Sequence, residues 1–531
     1  MLPLHITKYR HHIGGQSEQT RLTYQSCCRT SLNTTTMSSS KVSVAEITKH
    51  SSADNCWVVV NGKVYDLTNF APEHPGGAEV VYKWAGKDGS ETYNQFHSSS
   101  LIDEQLSDSE KKGPLDESTI TQTWLDAQNR EMPGPDKEAD PNERPPLASL
   151  INLDDFERAF EKAGSKKAWV YIWAGSNDLL SLHANKTWWA KLWFRPRIMR
   201  NVSSVNTRMK ILGADVSMPV YIAPMGIAKQ AGPQGEAALG AGAAGSGIVH
   251  CMSTTASMSI EEILASVPST HPYFFQLYVD RKREKTEAVL QKLEKIEQIK
   301  AIFVTVDLAV VSKREADERL IVQETVSVYA NSATSNVDKK GAGLARTTGG
   351  FIDPALDWGD IAWIRKYSSK PIVVKGVQSA ADAKMAMQMG CQGIVVSNHG
   401  GRALDSSPGT VGILLEIRRD CPEAFQKMEV FVDGGVRRGS DVLKAVMIGA
   451  RGVGVGRPFQ CAVMYDQEGV EHCAAVLQDE LETAMRLCGV TDLEKVRGDL
   501  SYLNTVELER MLPTRPAGPW SRWFGRTHSK L

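Results

Sequence analysis

The stretch Ser397-Asn398-His399-Gly400-Gly401-Arg402 brings a base and an anion holder together. His399 can take a proton near neutral pH, and Arg402 can hold a carboxylate through two parallel hydrogen bonds. The plain alternative is a buried ring that only satisfies a hydrogen bond. Asp307, which follows an apolar run, favours chemistry, because a carboxylate can orient an imidazole and stabilise its protonated form. Tyr171 and Tyr278 could donate hydrogen bonds to a substrate. Further on, Gly434-Gly435, Arg437, Gly454, Gly456 and Arg457 suit an anion held by backbone N–H groups, although turn glycines and surface arginines explain part of the pattern. A separate pair is His74, in Glu73-His74-Pro75-Gly76-Gly77, and His97, in Phe96-His97-Ser98. Two histidines from opposite walls could ligate one iron axially; the alternative is two unrelated surface residues.

Some framework must bring these groups together, and eight short apolar runs supply one: Pro219–Ala223, Gly247–Met252, Tyr273–Val279, Ala301–Val306, Pro371–Val374, Gly393–Val396, Glu429–Val432 and Gly452–Val455. Each is followed by a helix-like segment, so the runs read as parallel strands buried on both faces and predict an α/β fold, a (β/α)8 TIM barrel. Active sites of such barrels lie at the C-terminal ends of the strands. Pro224-Met225-Gly226, Ser253, Gln276, Thr305, Asp307, Lys375, His399, Asp433 and Arg457 all fall at those ends. Lys375 there could sit beside the N1 and O2 edge of a flavin and stabilise its reduced, anionic form.

Ahead of the barrel, residues 42–115 form a smaller α+β unit, with a hairpin predicted from Trp57-Val58-Val59-Val60, the Asn61-Gly62 turn and Val64-Tyr65. Residues 116–149, rich in proline and charge from 130 to 147, read as a linker to the barrel at 150–513. Within the barrel, 315–350 lacks any period and reads as a mobile loop or a lid.

With 61 basic against 62 acidic residues, a net charge of −1 and no large basic run, the composition argues against nucleic acid as a partner. No run of 18 or more apolar residues occurs. Leu239–Met252 comes nearest and is mostly Gly and Ala, so no membrane span is expected. Nine cysteines without metal-type spacing fit a reducing compartment. The ends carry conflicting addresses. Residues 1–41 read as a disordered extension or a mitochondrial presequence, with Glu18 the single acid in the first 36, while the tail 514–531 ends in Ser529-Lys530-Leu531, a peroxisomal signal. Peroxisome is the expectation, with mitochondrion or cytoplasm as alternatives.

Trp57–Val60, Val64–Thr68, Phe70, His74–Gly77 and Phe96–Ser98 together resemble the cytochrome b5 family over about 60 residues. The resemblance implies haem b with His74 and His97 as axial ligands. From about Asn152 to Pro513 the chain resembles the FMN-dependent 2-hydroxy acid dehydrogenase family. The most specific pieces are Ser397–Arg402, Phe431–Gly439 and Gly454–Phe459. By that resemblance His399 is the base, Asp307 its partner, and Arg314 and Arg402 bind the carboxylate. Tyr171 and Tyr278 would contact substrate. Pro224, Met225, Gly226, Ser253, Gln276 and Thr305 would hold FMN, as would Lys375, Asp433, Gly435, Arg437, Gly456 and Arg457.

The order of the two modules resembles the flavocytochrome b2 family, which implies oxidation of lactate or a larger L-2-hydroxy acid, electron transfer through haem to cytochrome c, and a tetramer. An oxygen-using oxidase with an uncoupled haem unit and a haem-only carrier are the alternatives. Removal of the C2 proton and hydride transfer with loss of the hydroxyl proton both fit these residues. The chain departs from the barrel family's pattern at Tyr171-Ile172-Trp173, which keeps the first tyrosine of a usual pair and loses the second. It departs again at Met225-Gly226 and Thr255, which imply a roomier pocket than lactate needs.

Overall fold

The computed structural model describes residues 41–74, 78–129, 143–320 and 349–513. Residues 1–40, Pro75–Gly77, 130–142, 321–348 and 514–531 lie outside the described set. With them go the expectations for both targeting segments, the proline-rich part of the linker and most of the 315–350 loop.

The N-terminal unit is built on an antiparallel sheet of four strands: β1 (Ser51–Ser52), β2 (Asn55–Val60), β3 (Lys63–Asp66) and β4 (Lys111–Pro114), paired in that order. The predicted hairpin forms at Asn61 (φ 50°) and Gly62 (φ 75°), the left-handed pair that matches strand twist, with Val60 opposite Lys63. Alternation along β2 sends Val58 and Val60 into a cluster with Tyr65, Val81 and Ile102, while Val59 joins Val44, Ile47, Val64 and Leu115 on the other face. The sheet therefore needs cover on both sides. Helices α1 (Ser90–Phe96) and α2 (Gln122–Asn129) belong to this unit. In α2 Trp124 is buried in the second cluster and donates its indole N–H to the Gly86 carbonyl at 3.1 Å. Residues 116–129, read from sequence as the start of a linker, are thus a packed part of the N-terminal unit. A single tryptophan in a polar stretch carries no periodic signal, and only the exposed face of the sheet explains it.

Helices α3 (Lys166–Trp173) and α4 (Leu180–Trp188) precede the barrel. Its strands are β5 (Val220–Ile222), β6 (Val249–Ser253), β7 (Tyr273–Leu277), β8 (Ile299–Thr305), β9 (Ile372–Val377), β10 (Gly393–Val396), β11 (Glu429–Asp433) and β12 (Gly452–Val455). All eight match the apolar runs. They close into a parallel barrel, β12 pairing with β5 through Val453 and Val220. Tyr221, Phe274, Phe303 and Phe431 come from strands that are mostly not neighbours, yet Tyr221 meets the other three rings edge-on at 5.8–6.2 Å. They fill the barrel centre, so the interior is a packed core and the C-terminal rim is left for chemistry.

The Gly/Ala-rich run is accounted for by packing. Helices α5 (Gly235–Ser246), α6 (Ile260–Ala265) and α7 (Asp466–Cys488) lie outside the strands, and α5 packs along α7. A Cβ on Gly242 would collide with the buried Val470 side chain. Small residues are what let the two backbones approach. Among the described residues no helix is long and apolar enough to cross a membrane. Helix propensity alone would make Gly242→Ala stabilising by about 1 kcal/mol. Because the added methyl meets Val470, we expect it instead to lower the barrel's thermal midpoint by a few degrees, which differential scanning calorimetry would register; a raised midpoint would refute the close-packing account.

Candidate active site and haem site

At the rim, Lys375 lies in β9 where pairing with β10 slips one residue between Lys375 and Val377, a bulge with Gly376 at φ 111°. Bulges re-aim side chains, and here Lys375 Nζ lies 3.2 Å from Ser397 Oγ, 3.7 Å from Asp433 Oδ2 and 3.9 Å from Asp307 Oδ2. All three ionisable groups are buried. Burial alone would discharge the ammonium, but Asp307 and Asp433 hold its pKa above the ordinary lysine value. Burial likewise works to raise Asp307, and the charges of His399 and Lys375 overcome it and hold that carboxyl below the usual range. Asp433 is pushed up by burial, with Lys375 opposing. Asp307 Oδ2 and Asp433 Oδ1 have no hydrogen-bond partner among the described residues.

His399 sits just beyond β10 with φ 58°, followed by Gly400 and Gly401 at 63° and 79°. A left-handed conformation costs a residue with a side chain about 1–3 kcal/mol, so the surroundings must enforce it. They do. The His399 N–H donates to Ser397 Oγ at 3.1 Å, and the Gly401 N–H donates to Asn398 Oδ1 at 3.0 Å. Asn398 is itself locked in a reciprocal, buried amide pair with Asn185 of α4, at 2.7 and 3.0 Å. A side chain at position 401 would strike the Leu182 backbone at 2.6 Å. The loop's strain aims the imidazole. Its Nδ1 lies 2.9 Å from Asp307 Oδ1, and its Nε2 lies 3.3 Å from the Tyr278 hydroxyl. Burial pushes the His399 pKa down to about 4 against the pull of Asp307. The ring is therefore neutral at pH 7, and with Nδ1–H assigned to Asp307, Nε2 offers its lone pair to the cleft.

Facing it are two cations. Burial, then the charge of Arg402, lowers Arg314 to about 9. Arg402 donates from Nη2 to the Tyr171 carbonyl of α3 at 2.6 Å and lies 5.1 Å over the Tyr171 ring. The Nε atoms of both arginines are buried without a hydrogen-bond partner among the described residues. Two guanidiniums this close, beside a neutral base, suit a carboxylate.

These groups line one cleft at the rim of the barrel. Its other wall holds Pro224, Met225, Gly226, Ser253 and Gln276. Gln276 Oε1 accepts from Ser253 Oγ and the Thr254 N–H, both at 3.2 Å, and its Nε2 donates to Thr305 Oγ1 at 3.0 Å, so a fixed row of amide and hydroxyl groups runs along β6, β7 and β8. At the far end lie Gly434–Arg437 and Gly454–Arg457, where a Cβ on Gly435 would occupy the space of the Asn185 carbonyl. Orphaned polar atoms, a polar row and a glycine cradle fit a planar heterocycle with a phosphate tail. The two arginines there are engaged by the protein itself. Arg437 is already paired with Asp154 at 3.1 Å and Glu157 at 2.5 Å. Arg457 donates to the carbonyls of Ile172 and Gly400, both at 3.0 Å, and burial lowers it to about 9. Both contribute field, leaving close anion contacts to the backbone. Asn185 was missed by sequence reasoning, and nothing local to it would have signalled its pairing.

In the N-terminal unit the rings of His74 and His97 stand 6.0 Å apart and perpendicular. That spacing leaves room for one metal ion bonded at about 2 Å to a nitrogen on each side. Burial and the neighbouring His74 lower His97 to about 4, which keeps its lone pair available for a metal.

The FMN-dependent dehydrogenase family matches residues 161–503, and the family of cytochrome b5-like haem or steroid binding domains matches residues 43–116. The chain is 39% identical over 484 residues to the L-lactate dehydrogenase (cytochrome) of Saccharomyces cerevisiae, covering 89% of this chain and 81% of that one. It is 36% identical over 353 residues to the glycolate oxidase of Spinacia oleracea, covering 65% and 94%. Among solved structures, a mutant flavocytochrome b2 with pyruvate bound superposes with a TM-score of 0.63 at 36% identity, over 73% of this chain and 94% of that one. A mandelate oxidase variant with (S)-mandelic acid gives 0.57 at 31%, over 67% and 98%. With both units matched and the cleft and the histidine pair suited to their cofactors, the chain belongs to the FMN-dependent dehydrogenase family, its barrel joined to a cytochrome b5-like unit that carries haem.

Proposed function

We propose that this chain oxidises an L-2-hydroxy acid with a side chain larger than that of lactate to the 2-oxo acid, and that the electrons leave through haem to cytochrome c. The observation that carries the reading is the neutral His399, backed by Asp307 and set opposite Arg314 and Arg402 in one cleft. The curated relatives named L-lactate dehydrogenase (cytochrome) support the acceptor.

FMN, when bound, supplies the two-electron acceptor, with Ser253, Gln276, Thr305 and Lys375 suited to its ring and Gly435, Gly456, Arg437 and Arg457 to its phosphate. Arg314 and Arg402 hold the substrate carboxylate and fix which face of C2 is presented. Tyr278 keeps its hydroxyl beside Nε2, where it can bond the substrate oxygen. His399 Nε2 then takes the proton, and the ionised Asp307 stabilises the resulting imidazolium through Nδ1–H. Lys375 remains charged between its two carboxylates and offers positive potential for the negative charge that develops on the acceptor.

Side-chain size is set by Met225, Gly226 and Thr255 together with Leu308, Val311 and Ile352, which also line the cleft. A Cβ at Gly226 would overlap Thr255 Oγ1, so the two positions are mutually small. The apolar residues favour an apolar substituent, and the mandelate oxidase neighbour points the same way.

His399→Gln is expected to lower kcat by about 10²–10⁴-fold in steady-state assays while the bound-flavin absorbance stays unchanged. The active form of the base is the neutral one, so kcat/KM should be at its plateau at neutral pH and fall only as pH drops toward about 4. A pH profile with its midpoint at 6.5 or above would show the free site to be wetter than this geometry. Thr255→Leu should cut the preference for L-mandelate over L-lactate by about tenfold or more, read as the ratio of their kcat/KM values; an unchanged ratio would remove Thr255 from the specificity wall.

A further inference from the structure

Two loops that border the flavin side of the cleft also meet the haem-bearing unit. The first runs from Pro224 past β5 to Gln230, and the second from Ser253 past β6 to Ser259 and α6. The buried Glu236 of α5 staples them. Its Oε1 accepts from the Ala228 N–H at 3.0 Å and the Ser257 N–H at 2.8 Å, and its Oε2 accepts from Ser257 Oγ at 2.6 Å. The Ile227 N–H adds a bond to the Thr255 carbonyl at 3.1 Å. The inner edge of this strap presents Met225, Gly226 and Thr255 to the cleft. Against its outer edge, at Ala228–Gln230, packs α1 of the haem unit.

One bond registers the two units. Glu262 closes a capping box with Ser259 at the start of α6, and its Oε2 accepts from the Ser259 N–H at 2.7 Å and from Ser259 Oγ at 2.8 Å. The same oxygen accepts from Ser98 Oγ at 2.8 Å. Ser98 directly follows the haem ligand candidate His97, and Tyr93, one turn back in α1, fixes it by donating its hydroxyl to the Ser98 carbonyl at 2.9 Å. Ser98 is only 7% exposed, so the bond is sheltered from water. Lys282 and Glu73 also meet across the junction at 3.9 Å, but both are exposed and the pair contributes little.

We propose that the stapled loops are the docking seat of the haem unit, with the Ser98–Glu262 bond holding the His97 edge in register against the flavin side and Glu236 acting as a positioning residue for the seat. The inference rests on the reading that electrons pass from FMN to haem. Neither Ser98 nor Glu262 touches the cleft, so their loss leaves the hydroxy-acid step alone and reduces the time the haem unit spends docked. A hydrogen bond to a carboxylate is worth enough to change that occupancy by about tenfold.

The test uses the full-length holoenzyme and its Ser98→Ala and Glu262→Gln variants, each mixed anaerobically with L-lactate and L-mandelate in a stopped-flow spectrometer. Flavin bleaching should proceed at the parent rate in all three proteins, and haem reduction should slow about tenfold in both variants. Hydrogen exchange gives a readout independent of turnover. In Ser98→Ala, which leaves the capping box whole, amides of Ala228–Gln230 and α1 should exchange faster while those of β7–β12 are unchanged. Parent-like haem reduction together with parent-like exchange in Ser98→Ala would overturn the docking seat. Haem that stays oxidised in the parent protein while flavin bleaches would overturn the electron-transfer reading, and the exchange data would then judge the seat alone.

Discussion

Burying charge at the mouth of the barrel is the constraint on which this structure turns. The side chains of Lys375, Asp307 and Asp433 are almost wholly removed from water, and each isolated ion would cost several kcal/mol there. They are tolerated because they face one another within 4 Å, around an ammonium that lies 3.9 Å from one carboxylate and 3.7 Å from the other. That arrangement is possible only on a frame that fixes strand ends to a few tenths of an ångström. The closed barrel with its aromatic plug is such a frame: Tyr221 packs on Phe274, Phe303 and Phe431 below the cluster, and the bulge at Gly376 turns Lys375 inward above it. Packing and electrostatics are one design here, since a strand that moved would leave a charge unpaired.

The same frame carries the strain of the His399 loop. A left-handed histidine followed by two left-handed glycines is held by the Asn185–Asn398 pair, whose partners are 213 residues apart in sequence. Asn185 stands in α4, before the barrel begins, and its Oδ1 also accepts from the Thr410 N–H at 3.2 Å. Thr410 Oγ1 in turn donates to the Asp433 carbonyl at 2.5 Å. The segment that precedes the barrel therefore works as a brace, tying the histidine loop to the end of β11 and so to the buried charges.

Legibility followed the range of the interaction. All eight strands could be read because parallel strands buried on both faces must be apolar runs, and the rim chemistry could be read because barrels place it directly after those runs. The histidine pair was legible through the cytochrome b5-like residues around it, since two histidines alone read as readily as unrelated surface residues. What escaped is what depends on distant partners. The partners of Arg437, Asp154 and Glu157, stand some 280 residues earlier, and nothing near Arg437 names them. Trp124 looked like linker because the sheet face it covers is made by strands at 55–66 and 111–114. Glu236 and Glu262 sit in ordinary-looking helix starts, and nothing in their neighbours marks the loops they hold.

If His399 is the base of the proposed reaction, the positive side of the cleft explains how so weak a base can serve. Burial lowers His399 first, and Lys375 and Arg314 add to the effect because their charges disfavour a second cation nearby. Arg314 is itself destabilised by Arg402, and Arg457 by Arg402 as well. An arriving carboxylate neutralises the field of Arg314 and Arg402, which removes part of what holds His399 down while the pull of Asp307 remains. Its proton affinity must then rise on binding, toward the range where proton transfer at neutral pH is most effective. On the proposed reading, the contacts that recognise the acid would also make the imidazole a stronger base. In that reading, recognition of the carboxylate and activation of the base are coupled through Arg314, without any movement of the frame.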